Sequence, residues 1–349
     1  MRIHNQILLK RNSLNIRKIF SAVIIFLSLL VAFNASSKEL FPLNIAVEFT
    51  DHAASAYVAI EKKFFADESL DAKTYETYIT GMALSAALTR GNIDAAYMCL
   101  IPAINAFANG GVPLKVVAGT HLYGYGLVVN PEKIKKIKDL ENNNIRIGCM
   151  QEGSAVDALL HKTIEKYNLN RTKVISQTRR MSPPKALIAI KMNLIDAVFI
   201  PEHWATIARN SGFFMLLGAK EIWPDMIGSV LIVKKSLIEQ KPEIVGKLVK
   251  TTKKATDWIN RYPEETAYIT ARHLSFKNEK TIPNEITSSK KEYEITPETI
   301  TLSMEKLEYT TSINIKTVQE TIDYMAHKGY IKKSFKAEEI LDLRFLKQE

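Results

Sequence analysis

The 349-residue sequence is short of the motifs and residue types that mark several protein classes. It has no P-loop, GxGxxG, HExxH or CxxC motif, so the usual signatures of nucleotide-binding and zinc enzymes are missing. Its seven histidines are scattered without helical metal-ligand spacing, and nothing arranges serine, histidine and aspartate as a triad. The sequence therefore predicts a non-catalytic protein without a metal or a cofactor.

Glycine and proline are also modest, at 14 and 12 residues, which argues against long disordered linkers. The 46% hydrophobic and 24% charged residues are typical of a globular protein, and the length suffices for two domains. The net charge of +10 falls to +5 after residues 1–37, which contain five basic residues and no acid (47 − 5 = 42 basic against 37 acidic). This mild surplus predicts a solvated surface and no nucleic-acid partner.

The only long apolar run lies near the start of the chain. Basic residues precede the run Ile19–Phe33, and the small residues Ala35 and Ser37 follow it. This order is typical of a signal peptide spanning residues 1–37, cleaved after Ser37. The run is shorter than the ~20 residues that a membrane span needs, although an uncleaved anchor is the alternative. No cysteine stands at the cleavage site, so we expect a periplasmic protein that is not a lipoprotein.

Short apolar runs alternate with amphipathic segments from Leu43 onward, which predicts alternating strands and helices. The predictions include a helix over Ala53–Phe65, a strand over Lys173–Gln177 and a helix over Pro297–Tyr309. The polar stretch Ser275–Glu294 is predicted to be a loop. The alternation indicates an α/β fold in which mixed, mostly parallel sheets are flanked by helices.

One segment of the sequence occurs twice. Residues 87–97 resemble residues 189–199, and each copy runs from a helix end through a turn into an Ile-Asp-Ala strand, at Asp94 and at Asp196. The repeat predicts two α/β units of similar construction. Cys99 and Cys149 would then fall in different units, which favours two buried thiols over the alternative of a disulfide.

These residues resemble the nitrate/sulfonate/taurine class of periplasmic binding proteins of ABC importers, which also includes binders of thiamine pyrimidine precursors. The resemblance is carried by Ile45–Tyr57, Lys63-Phe64-Phe65, Gly91–Ala96, Pro113–Ala118, Ile147-Gly148, Gly153-Ser154, Pro184–Leu187 and Ile195–Ala197, in this order. It implies a two-lobe periplasmic-binding-protein fold of type II. Lobe one would comprise residues 38–124 and 224–349, lobe two residues 125–223, with crossover strands near Tyr123–Gly126 and Gly218–Ile227.

The resemblance also implies a function. The protein would capture a small polar ligand, such as nitrate, a sulfonate, taurine or a pyrimidine, by hinge closure. It would deliver the ligand, as a monomer, to the permease and ATPase subunits of an ABC importer. A ligand-sensing receptor and an exported enzyme of the same fold are the alternatives.

The site is expected where strand-end loops of the two lobes converge. Helix N-termini there offer unpaired N–H groups to an anion, above all at Ser154. Arg179 and Arg180 are a further positive pair, which either neutralises an anionic ligand or is a solvated pair of charges on the surface. Some of these residues have a structural alternative to ligand binding: Thr50, Asp51 and Thr80 would cap helices, Cys99 would be an inert buried thiol, and Trp204 would pack in the core. The charge of the ligand stays open. The predicted ligand-binding residues are Thr50, His52, Tyr57, Thr80, Gly81, Met82, Cys99, His121, Tyr123, Glu152, Gly153, Ser154, Glu202 and Trp204.

Overall fold

The computed structural model of the chain describes residues 40–72, 75–275 and 295–347. The chain divides into two units, Met1–Phe41 and Pro42–Glu349, and nearly all of the first unit lies outside the described residues. The predicted signal peptide and residues 276–294 of the predicted loop therefore lie outside them as well. The following description concerns the second unit.

Eleven strands of the described residues form two sheets. In chain order they are β1 Ile45–Glu48, β2 Tyr75–Tyr78, β3 Ala95–Cys99, β4 Leu114–Tyr123, β5 Tyr125–Val129, β6 Ile147–Cys149, β7 Thr178–Arg180, β8 Ala197–Pro201, β9 Phe214–Gly218, β10 Ile227–Lys234 and β11 Leu307–Tyr309. Sheet one has the spatial order β11-β4-β10-β3-β1-β2, and sheet two has the order β9-β5-β8-β6-β7. Five consecutive strands of sheet one have the same arrangement as the five strands of sheet two. In spatial order they are β4, β10, β3, β1 and β2 in sheet one, and β9, β5, β8, β6 and β7 in sheet two.

Helices follow most strands and cover the sheets. They are α1 Ala54–Glu61, α2 Phe64–Asp67, α3 Gly81–Leu88, α4 Leu100–Ala108, α5 Ala155–Lys166, α6 Arg171–Ser176, α7 Pro183–Lys191, α8 Glu202–Asn210, α9 Ala219–Ile222, α10 Lys235–Gln240, α11 Pro242–Arg261, α12 Pro263–Leu274, α13 Pro297–Met304 and α14 Ile315–His327. Strands β1, β3, β5 and β8 are buried along their whole length. Their near-continuous apolar sequences are what a strand covered by helices on both faces requires. Among the described helices, none combines the length and apolar character that a bilayer span needs.

The chain passes from sheet one to sheet two at Gly124, between β4 and β5. It returns between β9 and β10, through the short helix α9. In each sheet the strand formed directly after a passage, β5 or β10, runs antiparallel to both of its neighbours. The α/β prediction with two sheets is therefore confirmed. The sheets are less parallel than expected, because each has two parallel ladders and the others are antiparallel.

The Ile-Asp-Ala repeat makes the same contacts in both sheets. Asp94 donates its backbone N–H to the carbonyl of Asn44 at 2.8 Å, and its carboxylate accepts the N–H of Asn44 at 3.0 Å. Asp196 forms the same pair with Arg146, at 2.7 and 2.9 Å. Each aspartate thereby fixes the register of its strand against the parallel neighbour. The prediction of two units of similar construction is confirmed.

A lysine completes each of these contacts. Lys234 Nζ lies 2.9 Å from Asp94 Oδ1, and Lys133 Nζ lies 2.6 Å from Asp196 Oδ1. The side chain of Arg146 adds two further hydrogen bonds to Asp196, from Nε and Nη2. Burial by itself would raise the pKa of Asp196, but these cations and the Arg146 N–H lower it to about 2.

Three predicted elements differ from the structure. Residues 173–177 do not form a strand, because the side chain of Asn170 caps helix α6 by accepting the N–H of Lys173, and the strand β7 follows that helix. The predicted helix Ala53–Phe65 is interrupted where Lys63 adopts a left-handed backbone with φ of 61°. The predicted helix Pro297–Tyr309 ends at Met304, since its last residues form the edge strand β11, which pairs with the long strand β4.

The two aspartates of the repeat differ in exposure, which gives a test of their role. Asp196 is fully buried and accepts four hydrogen bonds from Arg146 and Lys133, whereas the Asp94 side chain is 23% exposed. We expect Asp196→Asn to lower the free energy of unfolding by about 3 kcal/mol, and Asp94→Asn by about 1 kcal/mol. Urea denaturation of both variants measures these losses. Equal losses would contradict the stronger role assigned to Asp196.

Candidate functional site

A cavity of about 560 Å³ lies between loops of sheet one and loops of sheet two. Ile79 and Thr80 follow β2, and Met150 to Ser154 follow β6. Arg180 is the last residue of β7, and Met181 and Ser182 follow that strand. These are the carboxyl ends of parallel strands, where ligands bind in open α/β sheets. The full lining is Ile79, Thr80, Met82, Ala83, Met150, Gln151, Glu152, Ser154, Arg180, Met181 and Ser182.

Four of the predicted ligand-binding residues, Thr80, Met82, Glu152 and Ser154, line this cavity. Thr80 and Ser154 also cap helices. The Thr80 hydroxyl accepts the N–H of Ala83 at 3.1 Å, and the Ser154 hydroxyl accepts the N–H of Asp157 at 3.3 Å. Both residues therefore cap a helix and also line the cavity, so the two interpretations are compatible.

Arg180 brings a positive charge to the cavity. Its Nη1 donates to Asp157 Oδ1 at 2.5 Å and to the carbonyl of Met150 at 2.8 Å, and the side chain is 34% exposed. These two bonds occupy one of the three guanidinium nitrogens and hold the group in place. The guanidinium is therefore positioned at the cavity wall with donors remaining for a ligand.

The start of helix α5 differs from the expected anion site. The N–H of Gly153 donates to Asp157 Oδ2 at 3.0 Å, and the Tyr330 hydroxyl donates to the same oxygen at 2.6 Å. Asp157 is fully buried, so the helix start already has a carboxylate from its own chain. Gly153 has φ of 78°, and a Cβ there would lie 3.8 Å from the side chain of Asn105. Glycine is thus required by the backbone conformation.

A buried polar cluster lies at the ends of β1 and β3, and we call Glu48, His52 and Cys99 the Glu-His-Cys cluster. The N–H of Cys99 donates to Glu48 Oε1 at 2.7 Å, and its thiol lies 3.1 Å from Oε2. His52 Nδ1 lies 3.9 Å from the Cys99 sulfur, and the Tyr125 hydroxyl lies 2.6 Å from it. All four side chains are buried.

Burial sets the charge of this cluster. It raises the pKa of Glu48 above its usual value, against the opposing effect of the Cys99 hydrogen bonds. It raises the pKa of the Cys99 thiol well above its usual value and lowers the pKa of His52. Desolvation disfavours the charged form in each case, so the Cys99 thiol and the His52 imidazole are neutral near pH 7.

A second polar group joins the first loop of sheet one to helix α8. The Thr50 hydroxyl donates to Asp51 Oδ1 at 2.9 Å, His203 Nδ1 lies 3.2 Å from the same oxygen, and Ser303 donates to Oδ2. Burial by itself would raise the pKa of Asp51, but His203 and the Ser303 hydroxyl hold this pKa well below its usual value. Asp51 is therefore a structural anion that links the first loop of sheet one to helices α8 and α13.

Glu202 begins helix α8 and is fully buried. Its Oε1 accepts a hydrogen bond from the Thr206 hydroxyl at 3.4 Å, whereas Oε2 has no partner among the described residues. Burial and the nearby charge of Asp51 raise the pKa of Glu202 to about 8.

Tyr57 and Trp204 make packing contacts with neighbouring rings. The Tyr57 hydroxyl donates to the carbonyl of Glu48 at 3.2 Å, and its ring stacks on His273 at 4.8 Å. Trp204 is 1% exposed and packs against Phe49 at 6.4 Å between ring centroids. The core-packing alternative therefore describes the contacts of Trp204.

His121 and Tyr123 lie beside the passage between the sheets. The ring of His121 packs 4.5 Å from that of His52, and the Tyr123 hydroxyl donates to the carbonyl of Pro224 at 2.6 Å. The backbone of Gly81 is approached by protein atoms, because a Cβ there would lie 2.5 Å from Glu48 Oε1. None of these three residues belongs to the cavity lining.

Sequence reasoning missed most of the cavity lining. Met150, Gln151 and Met181 belong to no motif, and Ser182 had a signal only in the Pro183-Pro184 pair that opens helix α7. Glu48 had a clearer signal, because it is an acidic residue at the end of an otherwise apolar strand. A second cavity of about 310 Å³ lies at the opposite, amino-terminal ends of β3 and β4, away from every predicted site residue.

The raised pKa of Glu202 gives a pH test. The folded state keeps this proton up to about pH 8, whereas the unfolded chain releases it near pH 4.5, so the contribution of Glu202 to stability falls as pH rises between these values. The free energy of unfolding should therefore fall between pH 5 and pH 8 in the wild type by at least about 1 kcal/mol more than it falls in Glu202→Gln. Urea denaturation at both pH values measures this, with Glu132→Gln in an exposed loop as control. Parallel pH profiles for wild type and Glu202→Gln would contradict it.

The chain is similar to several proteins whose names describe them as binding proteins. A putative binding protein of Brucella abortus is 26% identical over 220 residues, which is 62% of this chain and 66% of that protein, so this chain spans slightly less than two thirds of it. The alkanesulfonate-binding protein SsuA of Xanthomonas axonopodis, solved with MOPS, matches with a TM-score of 0.69 and 16% identity, over 87% of this chain and 99% of that one. The periplasmic nitrate-binding protein NrtA of Synechocystis matches with a TM-score of 0.71 and 14% identity, over 88% of each chain.

The structural matches show the fold, which is that of the periplasmic binding proteins, as the sequence predicted. The model of the NMT1-like family matches residues 36–275, which is more than half of the sequence. The chain therefore belongs to the NMT1-like family.

Proposed function

We propose that this chain is the extracytoplasmic solute-binding component of an ABC importer. The observation that supports this most is the cavity, whose lining combines loops of both sheets with a fixed guanidinium. A cavity of about 560 Å³ is within the size range of small-molecule sites. The names of the solved proteins of the same fold, which bind alkanesulfonate and nitrate, point in the same direction.

The lining favours a small organic ligand that has an anionic group and an apolar portion, with the acidic Glu152 facing the same cavity as Arg180. Arg180 supplies a cation, Thr80 and Ser182 supply hydroxyls, and Met82 and Met150 supply flexible apolar surface. A hydrogen bond to a charged group contributes ~1.5–3 kcal/mol, and micromolar affinity needs about −8 kcal/mol. Three or four such contacts with partial burial of an alkyl group reach this value. An alkanesulfonate or a short carboxylate fits this description better than nitrate, which has no apolar part.

Delivery by closure of two lobes is part of the same proposal. Lobe one would contain residues 38–124 and 224–349 and lobe two residues 125–223, with the hinge at Gly124 and between Gly218 and Ile227. The ligand would pass to permease and ATPase subunits at the membrane. The protein would act as a monomer in the periplasm, after removal of residues 1–37.

A substitution that fills the cavity tests the proposal. Ala83 lies on α3, is exposed and lines the cavity, whereas Ala86 is exposed on the same helix and lies outside the lining. We expect Ala83→Trp to weaken ligand binding at least tenfold, because the indole occupies ligand volume, and Ala86→Trp to leave affinity unchanged. Isothermal titration with alkanesulfonates, taurine, nitrate, carboxylates and pyrimidines measures this. No saturable binding of any of these by the wild type would overturn the proposal.

The charge of the ligand is tested by a second pair of variants. Arg180→Gln should weaken an anionic ligand at least tenfold, because it removes the only arginine of the cavity lining in the described structure. Arg179→Gln, the exposed neighbour outside the lining, is the matched control. Since Arg180 also bonds to buried Asp157, thermal unfolding of each variant is recorded alongside. A neutral ligand that binds Arg180→Gln as it binds the wild type would contradict the anionic class.

An exported enzyme is the second candidate, because Cys99 and His52 are the residue types of a thiol nucleophile and its base, 3.9 Å apart. The structure favours binding without catalysis. Cys99 is 4% exposed, lies outside the cavity lining and has a thiol pKa raised well above its usual value by burial. A nucleophile instead needs an accessible thiolate.

The two interpretations differ in thiol reactivity. Both cysteines are free and buried in the structure, as the sequence predicted, so iodoacetamide should alkylate the native protein far more slowly than the urea-unfolded chain. Mass spectrometry of the modified peptides follows each cysteine separately, and Cys149 is the internal control. Rapid alkylation of Cys99 in the native protein, with Cys149 unmodified, would favour the enzyme.

A further inference from the structure

The Glu-His-Cys cluster draws its three side chains from neighbouring elements of sheet one. Glu48 is the last residue of β1, His52 lies on the 3-10 helix Asp51–Ala53 that follows, and Cys99 is the last residue of β3. Strands β1 and β3 are parallel neighbours, with Val47 opposite Tyr97, so their last side chains meet at the same edge. One carboxylate oxygen, one imidazole nitrogen and one sulfur lie within 4.8 Å of one another.

The separations suit a tetrahedral cation. The Cys99 sulfur lies 3.1 Å from Glu48 Oε2 and 3.9 Å from His52 Nδ1. Zinc binds sulfur at about 2.3 Å and nitrogen or oxygen at about 2.0–2.2 Å, which places ligand atoms of a tetrahedron roughly 3.2–3.7 Å apart. The two separations that involve the Cys99 sulfur lie within a few tenths of an ångström of this range, and the Glu48 oxygen and the His52 nitrogen lie within 4.8 Å of each other.

The orientation of His52 is the one found in metal sites. Its Nε2 lies 2.7 Å from the carbonyl of Gly124, and a carbonyl only accepts, so Nε2 carries the ring proton. Nδ1 is then left with a lone pair on the side of Cys99. A metal-binding histidine almost always donates its other N–H in this way, to a backbone carbonyl or a carboxylate. Glu48 is held similarly, since its Oε1 accepts the N–H of Cys99.

A dication balances the charges of the deprotonated ligands. A carboxylate and a thiolate carry two negative charges together, and burying them without a counter-ion is costly. A divalent cation with neutral His52 brings the net charge of the group to zero. A sulfur ligand selects thiophilic ions such as zinc over magnesium or calcium. We propose that Glu48, His52 and Cys99 bind one zinc-like divalent cation, with a fourth position beside the Tyr125 hydroxyl.

Binding replaces the sulfur–hydrogen bond of Cys99 by a sulfur–metal bond, and the proton leaves to solvent. No oxidation or reduction occurs. The cation would join the ends of β1 and β3 and, through His52, the Gly124 carbonyl at the passage between the sheets. It is separate from the ligand cavity, because none of the three residues belongs to the cavity lining.

Cobalt(II) provides the test, because a thiolate–cobalt bond gives a charge-transfer band in the near ultraviolet. The chelator-treated protein without residues 1–37 should develop this band when cobalt is added. The intensity of the band should saturate at one equivalent of cobalt, and the band should disappear when zinc is added. Zinc should also raise the midpoint of thermal unfolding. Cys99→Ser should abolish the band. The matched control is Cys149→Ser, which alters a buried thiol at the end of β6, the strand that corresponds to β1, and keeps the band.

Several results would overturn the proposal. They are no band in the wild-type protein, a band that persists in Cys99→Ser, or zinc binding that leaves the cobalt band in place. The wild-type titration and Cys149→Ser decide the matter even if Cys99→Ser does not fold. Ala83→Trp separates this inference from the proposed function, since it should lose the organic ligand and keep the cobalt band.

Discussion

The aspartate that precedes the middle strand of each sheet fixes the arrangement on which the site depends. Asp94 and Asp196 each exchange two hydrogen bonds with the parallel neighbour, and their carbonyls accept the N–H of Lys234 and of Asn130 in the antiparallel neighbour. Three strands are thus held in register at one edge of each sheet. Because a strand has a fixed rise per residue, this also sets where the loops leave at the other edge. The cavity is built from loops at that other edge in both sheets.

The passage between the sheets depends on a single peptide unit. The carbonyl of Gly124 lies 2.7 Å from His52 Nε2 and accepts the N–H of Glu202 at 2.9 Å, so it ties the first loop of sheet one to the start of helix α8. Gly124 has φ of 88°, and a Cβ there would lie 2.7 Å from the His52 ring. Glycine is therefore required both by the backbone conformation and by the imidazole that approaches it.

The fold could be predicted from sequence because it depends on local, repeated signals. The Ile-Asp-Ala repeat predicted two similar units correctly, since a helix end, a turn and a buried strand are evident within a short window of each copy. The strand predicted over Lys173–Gln177 was wrong because its apolar residues Val174 and Ile175 fit a short helix equally well, and only the Asn170 cap distinguishes the two. The two crossovers follow from the resemblance and not from any local pattern.

The site was harder to predict, since its partners come from distant parts of the chain. The start of helix α5 has the sequence of an anion site, but Asp157 one turn later and Tyr330, 173 positions further on, determine what its donors contact. Arg180 was set aside because its sequence neighbours suggest a solvated charge, and its link to buried Asp157 is visible only in three dimensions. The expectation of no metal rested on helical spacing, whereas the Glu-His-Cys cluster is assembled across two strands.

Gly81 connects the two sites. It lies between Thr80 and Met82 of the cavity lining, and a Cβ on it would come within 2.5 Å of Glu48 Oε1 and 2.7 Å of the Pro102 ring. Gly81 is among the residues predicted to bind the ligand, but in the structure the space beside its Cα is occupied by the carboxylate of Glu48. A single backbone segment therefore forms the wall between cavity and cluster.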